Sequence, residues 1–129
     1  MDQPIICFDF GTKRIGVAIA TTPLAEPLAI IENDAKALTS CADLCTKHDI
    51  GRIVVGLSEG DMGRLTKVFA QKLQAATNLP LTFQDETLSS LETHQYLVGS
   101  RAKRQKRRNP IDHLAAAAIL QEYLDEVVK

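Results

Sequence analysis

Three acidic residues from distant parts of the chain have the residue type and setting of a metal-dependent active site. Asp9 interrupts an apolar run, Glu86 comes just after another, and Asp112 lies near the start of the last apolar segment. Clustered carboxylates repel one another, and divalent cations with oxygen ligands relieve that repulsion. Two such ions about 4 Å apart stabilise the attacking and leaving oxygens of phosphodiester cleavage. If the fold brings the three acids together, they predict a phosphodiester hydrolase.

Asp9 belongs to a predicted hairpin. Residues 5–10 and 15–20 are apolar, β-prone runs, and residues 11–14 between them have the composition of a tight turn. A carboxylate in an apolar strand is costly to bury unless a cation, a metal or hydrogen-bond donors pair with it. The alternative is that Asp9 sits at the strand end and caps the turn through Gly11, which is ordinary for Asp before a glycine turn.

Glu86 and its neighbour Asp85 follow a short predicted strand at residues 81–84. A helix then starts at Thr87 or Ser89, the latter with a capping-box arrangement. Acidic residues at the carboxyl end of a strand are typical of a site in an α/β protein. The alternative is simple solvent exposure at a strand–helix junction.

Asp112 lies in the first turn of the last predicted helix, in which Asn109 and Pro110 have the character of an N-cap and a first helical residue. An acid in this turn can act merely by stabilising the helix dipole. The helical period, however, puts Asp112 on the apolar face that must pack on the sheet. The other members of that face are Ala115, Ala116, Ile119 and Tyr123.

The elements between these acids complete an α/β pattern. Further strands are predicted at residues 27–32 and 52–57, and further helices at residues 35–48, after an Asn33 or Asp34 cap, and 64–77, after a glycine-containing loop at 58–63. We predict an α/β three-layer domain with a five-stranded mixed sheet flanked by helices. The first three strands form an antiparallel meander, and the fourth and fifth run parallel to the first through helical crossovers.

The two middle helices each have one predicted inward face. In the helix at 64–77, that face comprises Leu65, Val68, Phe69, Leu73 and Ala76. In the helix at 35–48, it comprises Leu38, Cys41, Leu44, Cys45 and His48. Two cysteines and a histidine on one face are compatible with a metal cluster, but cysteine often serves as a small core residue, and we favour that interpretation.

The overall composition is that of a single globular domain spanning residues 1–129, with 45% hydrophobic and 24% charged residues. No apolar run approaches the roughly 18 residues of a membrane helix, and the N-terminus lacks the pattern of a signal peptide. Three cysteines without tight spacing do not form a disulfide framework. We therefore expect a cytoplasmic protein without a membrane partner.

The net charge of −1 conceals a strongly basic segment near the C-terminus. Six positive charges fall within eight positions, and the rest of the chain has 9 basic and 16 acidic residues. This asymmetry favours a localised contact with a polyanion, and the alternative is a solvated charge run in a flexible loop. The residues concerned are Arg101, Lys103, Arg104, Lys106, Arg107 and Arg108.

Four motifs in order resemble the YqgF/RuvX family across essentially the whole chain. They are DFGTKRIGVA at 9–18, IVVGL at 53–57, DETLSS at 85–90 and PIDHLAAAAILQEYL from Pro110. The resemblance implies a ribonuclease H-like fold related to the RuvC Holliday-junction resolvases, and a role in 5′-end maturation of pre-16S rRNA. It also implies that Asp9, Glu86 and Asp112 form a catalytic triad that binds Mg²⁺ or Mn²⁺.

The chain also departs from the family pattern near the proposed site. Ser58 stands where the family usually has Pro, Thr87 stands where it usually has Arg, and the loop at 58–63 is shorter. The triad is intact, but Thr87 removes a cation that would bind phosphate beside Glu86. These changes therefore bear on the contacts with the substrate.

The expected partner is structured nucleic acid, either precursor rRNA or branched DNA, with ribosomal particles as a further candidate and a monomer or weak dimer as the oligomeric state. Lys13 and Arg14 in the hairpin turn are candidate phosphate contacts, or merely exposed turn residues. His113 is a candidate for proton transfer, although adjacent helical positions diverge by about 100°.

Three other functions remain open. A Holliday-junction resolvase would use the same triad but needs a symmetric dimer to cut two strands. The hairpin also resembles the phosphate-binding hairpin of actin-like ATPases, which need two such domains where 129 residues supply one. The third is a non-catalytic binding module, against which the intact triad argues.

Overall fold

The computed structural model describes residues 3–85 and 111–128, and the predicted helix ending near residue 98 lies outside them. The described part contains five strands and three helices. The strands are β1 (Ile5–Phe10), β2 (Arg14–Ala20), β3 (Glu26–Glu32), β4 (Arg52–Leu57) and β5 (Leu81–Asp85). The helices are α1 (Ala37–Lys47), α2 (Gly60–Thr77) and α3 (Ile111–Val128).

The strands form one mixed sheet in the order β3-β2-β1-β4-β5. β1, β2 and β3 pair antiparallel, while β4 pairs parallel with β1 and β5 pairs parallel with β4. The predicted meander and the predicted parallel crossovers are therefore confirmed. Because β1, β4 and β5 are parallel, their carboxyl ends lie at the same edge of the sheet.

Both faces of the sheet are covered by helices. Side chains alternate along each strand, so Ile6 and Phe8 contribute to the cluster under α1 and α2, while Cys7 contributes to the cluster under α3. In β4, the unbroken β-branched run supplies Ile53 to the first cluster and Val54 to the second. This confirms that β4 is buried on both faces, as expected of a central parallel strand.

The start of α1 differs from the prediction because the two candidate caps make other contacts. Asn33 donates its side-chain amide to the carbonyl of Gly11 at 2.7 Å, which links it to the β1–β2 hairpin. Asp34 accepts the backbone N–H of Lys36 at 2.9 Å. The resulting turn delays the helix to Ala37.

The predicted loop at 58–63 is wrong in its second half because α2 already begins at Gly60. Gly60 has a φ of +73°, a backbone conformation that favours glycine. A Cβ at Gly63, in the first turn, would collide with the carbonyl oxygen of Ser58. Both glycines therefore serve a tight strand-to-helix junction rather than a loop.

The inward face of α2 is also rotated relative to the prediction. Phe69 and Leu73 are buried as expected, but Leu65 and Val68 are each 49% exposed. Thr66 is buried in their place, and its hydroxyl donates to the carbonyl of Met62 at 2.7 Å. A hydroxyl that is satisfied within its own helix can occupy a core position. Ala76, also predicted to face inward, is exposed.

α3 packs on the opposite face of the sheet, mainly through Ala116, Ile119, Leu120 and Leu124, all of which are buried. Gln121 anchors it to the β2–β3 connection by accepting the N–H of Ala25 at 2.9 Å. The predicted apolar face of this helix is thus confirmed at Ala116 and Ile119, and Tyr123 packs against the same cluster.

Candidate active site

Asp9 lies within β1, one residue before its end. The three preceding residues Ile6, Cys7 and Phe8 are fully buried, whereas Asp9 is only half-buried. Alternation along the strand places Asp9 on the same face as Cys7, which is the face covered by α3. The carboxylate therefore lies at the carboxyl edge of the parallel strands, on the α3 side of the sheet.

A glycine occupies the neighbouring position on each side of Asp9. In the antiparallel pair Asp9 is opposite Gly16, which is in turn opposite Ile30. On the other side Phe8 pairs with Val55, so the next residue of β4, Gly56, follows the same register beside Asp9. Sequence reasoning did not single out Gly16 or Gly56, although a glycine within a β-branched strand was a visible signal.

The first of the two acids predicted to follow the fifth strand lies within that strand. β5 ends at Asp85, which is exposed and pairs in register with Leu57 at the end of β4. Gln84 lies on the α3 side, since its side-chain amide donates to the Glu126 carboxylate of α3 at 3.3 Å. Glu86 follows directly in the chain but lies outside the described residues.

Asp112 occupies the predicted place in the chain, the first turn of α3. It precedes the fully buried Ala116 by four residues, so the helical period puts the two positions on one face of the helix. The side chains of Asp112 and His113 lie outside the described part. The structure thus gives a position to the side chain of Asp9 alone among the three predicted acids.

The two basic hairpin residues differ in their placement. Lys13 lies in the turn, and its carbonyl accepts the backbone N–H of Asn33 at 2.9 Å. Arg14, predicted to be in the turn, is instead the first residue of β2, where it lies opposite Glu32. Both side chains are exposed near the sheet edge at which β1 ends.

The basic segment cannot be placed relative to this edge because it lies outside the described residues. The same holds for Thr87, one of the departures from the family pattern. The basic residues concerned are Arg101, Lys103, Arg104, Lys106, Arg107 and Arg108.

The cysteine face of α1 is part of the core. Cys41 and Cys45 are buried where α1 packs on the sheet. Burial raises the pKa of the Cys41 thiol to about 12, with a further contribution from Cys45, and burial raises the pKa of the Cys45 thiol to about 11. Thiols that stay protonated are poor metal ligands, which supports the core interpretation.

The described residues alone do not assemble a metal site. Among the side chains that the structure describes, at 3–85 and 114–127, no three His, Cys, Asp or Glu residues are grouped so that they could hold an ion. Asp9 supplies a carboxylate, the donor type that Mg²⁺ prefers. A complete ligand set of the predicted kind therefore requires Glu86 and Asp112 in addition.

Comparison with known proteins gives matches over nearly the whole chain. The sequence model of a family described as "RuvX: Holliday junction resolvase" matches residues 3–126. A Chelativorans protein named "Putative pre-16S rRNA nuclease" is 38% identical over 97% of this chain and 84% of its own length. A Methylobacillus flagellatus protein of the same name is 40% identical over 94% of this chain and 90% of its own length.

A solved structure shares the architecture at much lower identity. T. thermophilus RuvC in complex with a Holliday junction substrate superposes with a TM-score of 0.63, covering 98% of this chain and 96% of RuvC, at 10% identity. This likeness shows the fold, which is ribonuclease H-like, and confirms the predicted fold class. Among the helices of the described part, none combines the length and apolarity needed to cross a membrane.

Proposed function

Since this chain belongs to the RuvX family, we propose that it is a divalent-metal-dependent nuclease acting in the 5′-end maturation of pre-16S rRNA. Its enzyme class, a hydrolase that cleaves ester bonds, follows from the nuclease relatives. The observation that carries the proposal is Asp9, a half-buried carboxylate at the carboxyl edge of the parallel strands.

We assign Asp9, Glu86 and Asp112 as the catalytic residues. Support comes from the parallel arrangement of β1, β4 and β5, which brings the end of β5 to the sheet edge where Asp9 lies. Gln84, two residues before Glu86, contacts α3, which covers the face of the sheet on which Asp9 lies. Asp112 is the second residue of the helix that covers this face.

Mg²⁺ or Mn²⁺ is the cofactor that fits these carboxylates. When bound, such ions neutralise the charge that develops on the phosphate and activate water for attack. The chain would hold these ions through the carboxylate oxygens of Asp9, Glu86 and Asp112. Asp9, on β1 at the centre of the five-stranded sheet, would be suited to bridge the ions.

Nucleic acid would be held by basic residues around the carboxylates. Lys13 and Arg14 are exposed beside the end of β1 and are suited to phosphate contact. The basic segment at residues 101–108 would contribute most of the affinity through release of counterions. We propose a cytoplasmic enzyme of one domain, monomeric or weakly dimeric, that meets its substrate on ribosomal particles.

A second candidate function is resolution of Holliday junctions. The description of the matching family and the shared fold with RuvC favour it. A resolvase must cut two strands symmetrically, which requires a stable dimer. Solution mass at working concentration therefore separates this candidate from a monomeric ribonuclease.

The experiment that tests the proposal compares two labelled substrates. Precursor 16S rRNA and a four-way DNA junction are each incubated with the protein in Mg²⁺ or Mn²⁺, and again after EDTA is added. We expect metal-dependent cleavage of the RNA and little cleavage of the junction. Cleavage of the junction alone would favour the resolvase, and cleavage that survives EDTA would contradict the metal mechanism.

A further inference from the structure

We propose that Asn33 is a positioning residue for substrate binding, which holds the turn between β1 and β2 so that Lys13 contacts a phosphate of the nucleic acid near Asp9. The inference rests on the proposed nuclease function, because it assigns a role at the edge of the sheet where the reaction would take place. Its basis is a pair of hydrogen bonds that join the end of β3 to this turn.

Asn33 contacts both ends of the turn. Its side-chain amide donates to the carbonyl of Gly11 at 2.7 Å, and its backbone N–H donates to the carbonyl of Lys13 at 2.9 Å. Glu32, the last residue of β3, lies opposite Arg14, so the backbone bond extends the antiparallel pairing by one residue. β3 is not a neighbour of β1 in the sheet. The side-chain bond therefore reaches past β2 and ties the end of β3 to the chain that leaves β1.

The turn lies next to the proposed catalytic carboxylate. Gly11 directly follows Phe10, the last residue of β1, and is two residues beyond Asp9. A Cβ at Gly11 would collide with the carbonyl oxygen of Arg14, so the chain reverses its direction within a very short distance. In a turn this tight, the position of Gly11 also determines the path of the backbone through Lys13.

The turn depends on such hydrogen bonds because it is exposed. Thr12 and Lys13 are exposed, whereas Asn33 is half-buried. A segment with little buried apolar surface opens easily unless other contacts hold it. Lysine has a long, flexible side chain, so the place of its ammonium group depends on where the backbone holds the residue. Asn33 has no charge, and its effect on a polyanion should therefore come through the turn.

The connection at the opposite edge of the sheet supplies a matched control. Gln121 of α3 accepts the N–H of Ala25 at 2.9 Å and donates to the carbonyl of Pro23 at 3.1 Å. This connection follows the end of β2 that pairs with Ile5 at the start of β1, so it lies at the far end of the strands from Asp9. A neutral amide side chain thus holds a connection in both places, and one of the two is beside the proposed site.

The test is a double-variant cycle in the full chain, made of Asn33→Ala, Lys13→Gln and the two combined, with Gln121→Ala as the control. Lys13→Gln removes the charge and keeps the backbone carbonyl that Asn33 contacts. Affinity for labelled precursor rRNA is measured in EDTA at several salt concentrations. Melting temperature reports folding, and cleavage kinetics in Mn²⁺ give kcat and KM separately.

We expect Asn33→Ala to bind the RNA about three- to tenfold more weakly than the parent, with a shallower salt dependence, since a phosphate contact is lost. KM should rise by a similar factor while kcat changes by less than about twofold, because the contact serves binding rather than the chemical step. In the Lys13→Gln background, Asn33→Ala should change the affinity by less than about twofold, since the two residues act as one unit. Asn33→Gln, which keeps an amide donor, should bind more tightly than Asn33→Ala, and Gln121→Ala should keep the parent affinity.

Parent-like RNA affinity of Asn33→Ala would overturn the inference and leave the nuclease proposal intact. An equal loss of affinity with and without the Lys13 charge would mean that Asn33 acts by another route, and would also overturn it. So would an Asn33→Ala protein that is unfolded while Gln121→Ala is folded, because Asn33 would then serve stability alone. A parent that neither binds nor cleaves the RNA would overturn both proposals.

Discussion

The two faces of the sheet differ at consecutive residues of β1. On the α1–α2 side, Phe8 and its neighbours are sealed from water, and Phe8 packs edge-to-face on Phe69 with ring centroids 6.2 Å apart. On the α3 side, the next residue, Asp9, is half-buried between two glycines. Alternation sends these consecutive residues to different layers, so under the proposed function Phe8 contributes stability and Asp9 contributes chemistry.

The largest change in stability is expected from a substitution on the face of the sheet that α1 and α2 cover. Phe8→Ala removes a fully buried ring and should lower the free energy of unfolding by about 3–5 kcal/mol. Cleavage per folded molecule should be retained, because the ring is on the face opposite the carboxylate. Urea unfolding measures the first quantity, and initial cleavage rates under native conditions measure the second.

Phe83→Ala is the matched control for this prediction. Phe83 is 38% exposed at the edge strand, so the same truncation should cost roughly 1–2 kcal/mol. Equal losses at the two positions would mean that the complete burial of Phe8 adds no stability beyond that of a partly exposed ring. A Phe8→Ala protein that is stable but inactive would contradict the expectation that Phe8 contributes to stability and not to cleavage.

A smaller effect on the free energy of unfolding is expected from the two thiols of α1, Cys41 and Cys45, as the pH is raised. Burial raises the pKa of Cys41 to about 12 and that of Cys45 to about 11, above the ordinary value of 9.0. Above pH 9 the unfolded thiols lose protons that the folded thiols keep, so the free energy of unfolding should fall as pH rises toward 11. Below pH 9 both states are protonated, and the thiols add no pH dependence.

The double variant Cys41→Ala/Cys45→Ala separates this contribution from other groups that titrate at high pH. Its stability should decline less steeply than that of the parent between pH 9 and 11, as followed by urea unfolding at each pH. Parallel curves for the two proteins would mean that the folded thiols ionise normally and that the face beneath α1 is open to solvent.

The sheet was largely predictable from sequence because its signals are local. The β-branched run of β4 and the apolar run of β1 are bounded by turn residues, and their predicted limits match the structure. α2 was less predictable. Gly60 and Gly63 have loop composition, and only the close approach of Gly63 to Ser58 reveals that they belong to the helix.

The site could be predicted only in part, for a related reason. Asp9 was visible as a carboxylate in an apolar strand, and the end of a predicted strand and the start of the last predicted helix indicated Glu86 and Asp112 as its candidate partners. The glycines beside it were not recognised, because Gly16 and Gly56 become neighbours of Asp9 only through strand register. Similarly, the burial of Thr66 in place of Leu65 depends on how α2 is rotated against the sheet.

The most direct test of the central claim is the paired measurement of Asp9→Asn, which keeps the size of the side chain and removes its charge. We expect a melting temperature in EDTA equal to or above that of the parent, because repulsion among carboxylates is relieved. We also expect cleavage in Mn²⁺ to be lower by about a hundredfold or more, since each 1.4 kcal/mol of lost transition-state stabilisation is tenfold. A variant that melts earlier but cleaves at the parent rate would contradict the account and reduce Asp9 to a cap of the hairpin turn.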